Sequence, residues 1–353
     1  MDTAGARRGV LRCLVAALFF GASAPAASRL ATDMSAFSLA GLLYLGAAIG
    51  ALPMLGRTPP SPTAMRRSAV RLSLAVVFGG ALGPVLLAAG LTRTPAATSS
   101  LLLNLELVAT VILAALVFGE HLGRGVPVGT LLVVAAGVIL GWRGDADFRW
   151  GALLIAGACC CWAIDNCVTA GLDELAPAHI TLVKGVAAGT ANLLIGIVLG
   201  GAPSGLPIIG ALVVGVVGYG VSITLWVAGA RDLGAARGQL VFATAPFLGA
   251  IVAWTVFADP VDAREVASIV VAAAGVSFVL RSDHSHEHRH SAVEHDHEHG
   301  HDDGHHDHRH DHGEFVEPGG RHVHRHQHGE LVHAHAHVPD LHHRHDHASE
   351  LGS

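Results

Sequence analysis

Long apolar stretches separated by short polar breaks recur at near-regular intervals as far as position 281. They predict helices at 10–30, 36–56, 70–91, 95–119, 125–142, 149–170, 178–200, 206–228, 235–257 and 263–281. The fourth is the clearest. Thr98 to Gly119 is an apolar run with one charge, Glu106, closed by a second acid, Glu120. At ~1.5 Å per residue such a helix crosses a bilayer core of ~30 Å. Several stretches contain Gly or Pro, which membrane helices tolerate.

The fourth stretch also recurs. Laying 236–259 on 97–120 makes Ala97/Ala236, Leu101/Leu240, Ile112/Ile251, Ala114/Ala253, Val117/Val256 and Phe118/Phe257 identical and sets Glu120 opposite Asp259. Upstream, Ala89-Gly90 matches Ala228-Gly229, and residues 20–24 fall in register with 162–166. An internal duplication follows, of two sets of five helices. The first apolar run follows Arg7, Arg8 and Arg12 and has the layout of a signal peptide. Its place in the repeat argues that it is retained as a helix.

Eleven arginines (Arg7, Arg8, Arg12, Arg57, Arg66, Arg67, Arg71, Arg124, Arg231, Arg237, Arg281) fall on one side of the expected bundle. Five (Arg29, Arg93, Arg143, Arg149, Arg264) fall on the other. The positive-inside rule then places both termini in the cytoplasm. With an odd number of spans per set, the second set is inverted relative to the first, an arrangement used by secondary transporters. The expected fold is an all-α integral membrane protein: ten transmembrane helices as two inverted five-helix repeats, 1–142 and 143–281, plus a disordered tail, 282–353.

Composition agrees. The chain is 51% hydrophobic and 14% charged, against about 25% charged in soluble proteins. Residues 1–281 hold 17 basic and 13 acidic groups; 282–353 hold 5 and 15. Cys13, Cys159, Cys160, Cys161 and Cys167 all lie in apolar stretches and read as small packing residues. No phosphate loop or nucleophile–base set is present, which argues against an enzyme, and nothing points to nucleic acid.

Several motifs resemble the EamA-type family of the drug/metabolite transporter superfamily. They are LVFGE at 116–120, TVFAD at 255–259, CWAIDN at 161–166, VKGVAAG at 183–189, GYGVS at 218–222 and LGAAR at 233–237. The resemblance covers 10–281 and implies secondary transport of small solutes, often export, without ATP. It also implies a multi-pass protein of a bacterial inner membrane; a homodimer is left open. Family members often carry proline after the glutamate position of the fourth helix. Here Leu107 follows Glu106, whereas the second repeat keeps Pro246 but has Ala245 in place of the acid.

Ionisable groups inside spans usually face a cavity or a partner. The substrate or coupling candidates are Glu106, Asn104, Asp165, Asn166, Lys184 and Gln239. Lys184 is the only lysine, and sequential antiparallel helices allow it to pair with Asp165, as a structural ion pair or as a gate. Glu106, as an unpaired mid-membrane carboxylate, suits proton exchange; the alternative is a hydrogen-bonded packing role. Ser222 and Thr224 are polar contacts or interhelical glue. His121, His179, Glu120 and Asp259 read as residues of helix ends.

All of the chain's histidines except His121 and His179 lie in the tail, which is itself duplicated. His284, His286, His288, His290, His295, His297 and His299 reappear at the same mutual spacing as His322, His324, His326, His328, His333, His335 and His337. His305, His306, His308 and His310 reappear likewise as His342, His343, His345 and His347. Alternating imidazoles with interspersed carboxylates suit divalent Zn, Ni, Co or Cu. No cofactor is required otherwise. Three functions remain open: transition-metal or metal-responsive transport, export of a small organic solute with a metal-buffering tail, and a membrane-anchored metal store.

Overall fold

The computed structural model describes residues 3–55, 60–118, 125–141, 146–170, 172, 175–233, 241–281 and four tail segments, 285–290, 293–299, 322–328 and 331–336. The body is helical: α1 (Thr3–Leu30), α2 (Ala36–Ala51), α3 (Pro62–Leu74), α4 (Gly83–Leu91), α5 (Ala96–Leu102), α6 (Leu105–Phe118), α7 (Gly125–Gly141), α8 (Ala146–Ala170), α9 (Pro177–Gly200), α10 (Leu206–Val214), α11 (Ser222–Leu233), α12 (Ala245–Thr255) and α13 (Ala263–Arg281). Among the described residues seven helical stretches are long and apolar enough to span a membrane, and two shorter apolar helices cover Pro127–Leu140 and Ala245–Thr255.

Local chemistry sets several boundaries. Ser35 caps α2, its side chain accepting the Ser38 N–H. Ser61 caps α3 in the same way through Ala64, with Pro62 at the first helical position. The Ser-Pro signal starts that helix at 62, ahead of the expected 70, because capping and a pre-set φ outweigh the polar residues behind it.

Two irregularities break the expected continuous spans. A π-helical segment, Ala75–Leu82, joins α3 to α4, and another, Gly215–Val221, joins α10 to α11. The expected fourth helix is interrupted at Leu103–Asn104, where Leu103, Asn104 and Glu106 bond back three residues rather than four. Residues 243–244 interrupt the ninth stretch in the same way, through Thr244 and Phe247. Both pairs of irregularities keep the offset that lays 236 on 97, to within one position.

Helix pairing has the same regularity. α2 packs on α9, α7 on α13, α1 on α11 and α12, and α8 on α4 and α6. Exchanging the two halves maps these pairings onto one another. Glycines make the closest approaches. A Cβ on Gly185 would meet the Tyr44 carbonyl oxygen at 2.6 Å, and one on Gly189 would meet the Leu45 nitrogen at 2.8 Å. Small residues substitute here for the hydrophobic drive that lipid removes.

α12 ends with Ala258 at φ 55° and the Asp259 N–H bonded to the Ala253 carbonyl. This is a helix stop normally made by glycine, and the first repeat has Gly119 at the matching position. A non-glycine residue here carries about 1 kcal/mol of strain.

The described tail segments pair as strands: β1 (Ser285–His290) with β4 (Leu331–Ala336), and β2 (Val293–His299) with β3 (His322–His328), both antiparallel. The register pairs His286 with His335, His288 with His333, His295 with His326, His297 with His324 and His299 with His322. Both ladders share one register. The alternation in the sequence has the period of a strand, which is why the two duplicated blocks match each other.

The glycine contacts give a direct check. Gly185→Val should destabilise the detergent-solubilised protein by roughly 1–3 kcal/mol through overpacking. Gly157→Ala, which meets only Leu86 at 3.4 Å, should leave the thermal midpoint nearly unchanged. Equal effects of the two would refute close α2–α9 packing.

Candidate functional site

The interruption before α6 sets the geometry. Asn104, 5% exposed, donates both its backbone N–H, at 3.2 Å, and its side-chain amide, at 2.9 Å, to the Leu101 carbonyl. Glu106 follows in the first turn of α6, where the helix dipole favours a negative charge. Asn166 of α8 donates to Glu106 Oε1 at 2.9 Å and to Thr110 Oγ1 at 3.3 Å. Glu106 is therefore not the unpartnered carboxylate the sequence suggested; it is half-buried and hydrogen-bonded.

The neighbouring residue on α8 makes the second pair. Lys184 donates to Asp165 Oδ2, and Thr169 donates to Asp165 Oδ1 at 3.0 Å. Both ionic side chains are largely buried, at 13% and 9% exposure. Asp165 lies against Gly79 of the π segment, where any Cβ would collide with the carboxylate. The wider π turn frees carbonyls, and side chains take them up. Tyr44 and Trp162 both donate to the Gly79 oxygen, and Asn192 donates to that of Ala81. Asp165 and Asn166 thus link an ion pair on α9 to a carboxylate on α6 through adjacent positions of one helix.

The other half of the bundle is built differently. Ser23 packs on Gly218 of the second π segment, as Asp165 packs on Gly79 of the first. Ala245 stands where Glu106 stands in the first repeat. In place of charge there are rings. Phe20 meets Tyr219 edge-on at 5.9 Å and Phe242 at 5.4 Å, and Trp226 meets Phe242 at 5.6 Å. Tyr44 and Tyr219, the only two tyrosines in the chain, lie 5.8 Å apart. Both are within electrostatic reach of Glu106. The centre of the bundle is acidic and polar on one side and aromatic on the other.

The remaining expectations sort as follows. Ser222 donates to the Ala16 carbonyl and Thr224 to that of Gly220, so both act as backbone glue. Gln239, His121 and Glu120 lie outside the described residues. Asp259 does more than mark a helix end: it accepts from Arg29 and from the Ala96 N–H. Cys13, Cys159, Cys161 and Cys167 are buried, and Cys160 is exposed. The side chains of the tail histidines lie outside the description; only the strand register places those in the four segments. Among the described side chains, no three His, Cys, Asp or Glu groups gather to hold a metal ion.

Sequence reasoning missed Tyr44, Trp162, Tyr219 and Glu265. Tyrosine scarcity was an available signal for two of them. Glu265, next to Arg264 at an expected helix start, carries no signal of its own in the sequence. It is nevertheless 1% exposed and accepts from Thr98, Trp254 and the Asp262 N–H. It is a third deep carboxylate beside the two expected.

Comparison with known proteins agrees with this architecture. The profile of the EamA-like transporter family matches twice, over 7–142 and 149–281. An uncharacterized transporter from Methanothermobacter thermautotrophicus is 26% identical over 295 residues, covering 77% of this chain and 85% of the relative. A protein of known crystal structure superposes with a TM-score of 0.54 at 18% identity, covering 76% of this chain and 94% of the other; this likeness concerns the fold. The two family matches together cover most of the helical body, and the chain belongs to the EamA-like transporter family.

Proposed function

We propose that this is a secondary transporter of ten spans in two inverted five-helix repeats, both termini cytoplasmic, in a bacterial inner membrane. It moves a small organic solute that carries a cationic group, and its tail binds divalent transition metal and makes transport metal-responsive. The observation that carries the solute class is Glu106, hydrogen-bonded by Asn166 in a bundle whose other side carries the Tyr44–Tyr219 pair. A carboxylate and aromatic faces in one bundle suit an organic cation, because ring quadrupoles and charge act together once water is displaced. Binding can also be switched by one proton. Protonated Glu106 holds a cation poorly and ionised Glu106 holds it well, so one proton entering can release one monovalent solute. Discontinuous helices in both repeats support a binding site between the halves.

Lys184 and Asp165 hold α9 to α8 and to the π segment. Removing either leaves an uncompensated buried charge, which is costly. Their role is to set the position of Asn166, and through it Glu106.

A second reading, transition-metal transport, draws on the tail. Cross-strand partners in an antiparallel ladder lie about 4.5–5.5 Å apart at Cβ, and five such positions pair histidine with histidine. This spacing suits metal ions bridging the two duplicated blocks. The tail alone would collect metal on the cytoplasmic side, and the helical body would still need ligands of its own to carry it.

Two measurements test these roles. Inside-out vesicles carrying Glu106→Gln should lose at least tenfold of proton-driven uptake of a lipophilic aromatic cation while the protein inserts normally; unchanged uptake would rule out Glu106 as the coupling group. Full-length protein should bind several Zn or Ni ions at neutral pH and release them towards pH 5, since imidazoles with an ordinary pKa of about 6.5 take up protons in that range. Protein truncated at 281 should bind none of these ions, and equal binding by both forms would refute a metal-binding tail.

A further inference from the structure

The end of the bundle that carries Asp259 holds polar contacts the central site does not use. Arg29, in the last turn of α1, donates to Asp259 Oδ1 at 2.9 Å and to the Phe257 carbonyl at 2.5 Å. Its guanidinium also lies 5.4 Å from the Phe257 ring centroid. The second oxygen, Asp259 Oδ2, accepts the N–H of Ala96 at 3.1 Å, the first residue of α5. One carboxylate of the second repeat therefore ties down two helices of the first.

A second acid sits beneath it. Glu265 accepts from Thr98 Oγ1 at 2.5 Å, from Trp254 Nε1 at 3.1 Å and from the Asp262 N–H at 3.3 Å. The two clusters differ in access to water. The Arg29 and Asp259 side chains are 52% and 13% exposed, whereas Glu265 is 1% exposed. A cleft of about 380 Å³ lined by Pro95, Pro260, Asp262 and Glu265 opens beside them. Water reaches the Arg29 side of the Asp259 pair and can replace that contact at little cost. Three donors enclose Glu265 and leave it 1% exposed, so breaking that cluster costs more.

What Asp259 restrains is the half-helix leading to the site. Every residue of α5 is buried, Ser100 packs on Gly249 of α12, and the chain breaks at Leu103–Asn104 just before Glu106. Asp259 itself is presented from the strained Ala258, so the segment that carries it gains by relaxing.

We propose that Arg29, Asp259 and the N-terminus of α5 form a latch that shuts this end of the transporter, and that Glu265 with Thr98 and Trp254 is the fixed pivot on which α5 turns when the latch opens. This rests on the transporter reading. Its test needs no substrate, so failure of the latch and failure of the solute assignment can be told apart. Opening separates α5 from α12 and brings water to Ser100.

The experiment uses full-length Ser100→Cys protein in nanodiscs, a water-soluble maleimide, and peptide mass spectrometry of position 100, with the SDS-unfolded protein as the reference. Adding Asp259→Asn or Arg29→Ala should speed labelling at position 100 at least tenfold. The charge swap Arg29→Asp with Asp259→Arg should return it to within threefold of the starting rate. Glu265→Gln should leave labelling within twofold while lowering the thermal midpoint. Should a single variant lose its fold, seen as buried Cys159 labelling as fast as in the SDS-unfolded protein, the charge swap decides. Unchanged labelling in folded latch variants, a swap that fails to slow it, or Glu265→Gln acting like Asp259→Asn would each overturn the latch.

Discussion

A backbone carbonyl inside a bilayer must find a donor, and leaving one bare costs several kcal/mol. Among the described residues the helical ladder breaks in four places, two in each half, and the polar side chains of the interior follow from that. Tyr44 and Trp162 converge on the Gly79 carbonyl, and Asn192 serves Ala81. These residues are fixed by the backbone they satisfy. Irregular backbone is tolerated at depth because protein covers it, and it leaves a polar centre that an unbroken helix could not provide.

The two matching halves carry two such centres, and the centres are unequal. Gly79 and Gly218 occupy matching π turns, but one receives Asp165 and the other Ser23. Glu106 and Ala245 occupy matching half-helix starts. Both acids of the centre lie on the same side of the bundle, and α8 serves both: it carries Asp165 and, next to it, the Asn166 that holds Glu106. The opposite side carries Phe20, Tyr219, Phe242 and Trp226. A symmetric pair of carboxylates would repel and would need two counter-charges. One lysine suffices for the arrangement present, because Asp165 takes Lys184 and Glu106 is left with a neutral donor.

Much of this was legible in the sequence, for definite reasons. Apolar run length reports the bilayer directly, so the helical stretches were visible. Laying one repeat on the other exposed the unequal positions 106 and 245 before any coordinates. Lys184 and Asp165 were matched because a lone cation in lipid needs a partner. What could not be read was where the ladder fails. Gly79-Gly80 and Gly218-Tyr219-Gly220 look like ordinary small residues of membrane helices, and nothing in Leu103-Asn104 marks a break that lacks proline. Tyr44 and Trp162 passed as apolar filler for the same reason: their hydrogen bonds go to carbonyls that exist only once the π turn forms. The strand-period alternation of the tail was plain in the sequence as well.

Glu120 and Asp259 show how far a repeat can guide and then mislead. They align, both are acids, and both end an apolar stretch, which made boundary markers the economical reading. Only the structure shows that Asp259 reaches back into the other repeat, to Arg29 and to the start of α5. It does so from Ala258, where the aligned residue is Gly119, the type that fits a left-handed stop without strain. A position held under strain persists when the surrounding contacts over-determine it. Here those contacts are a half-exposed ion pair, which water can replace, and one helix-start N–H. The strain and the weak restraint therefore lie on the same short segment, Phe257 to Asp259, while the buried Glu265 cluster just beyond it holds its neighbours in place.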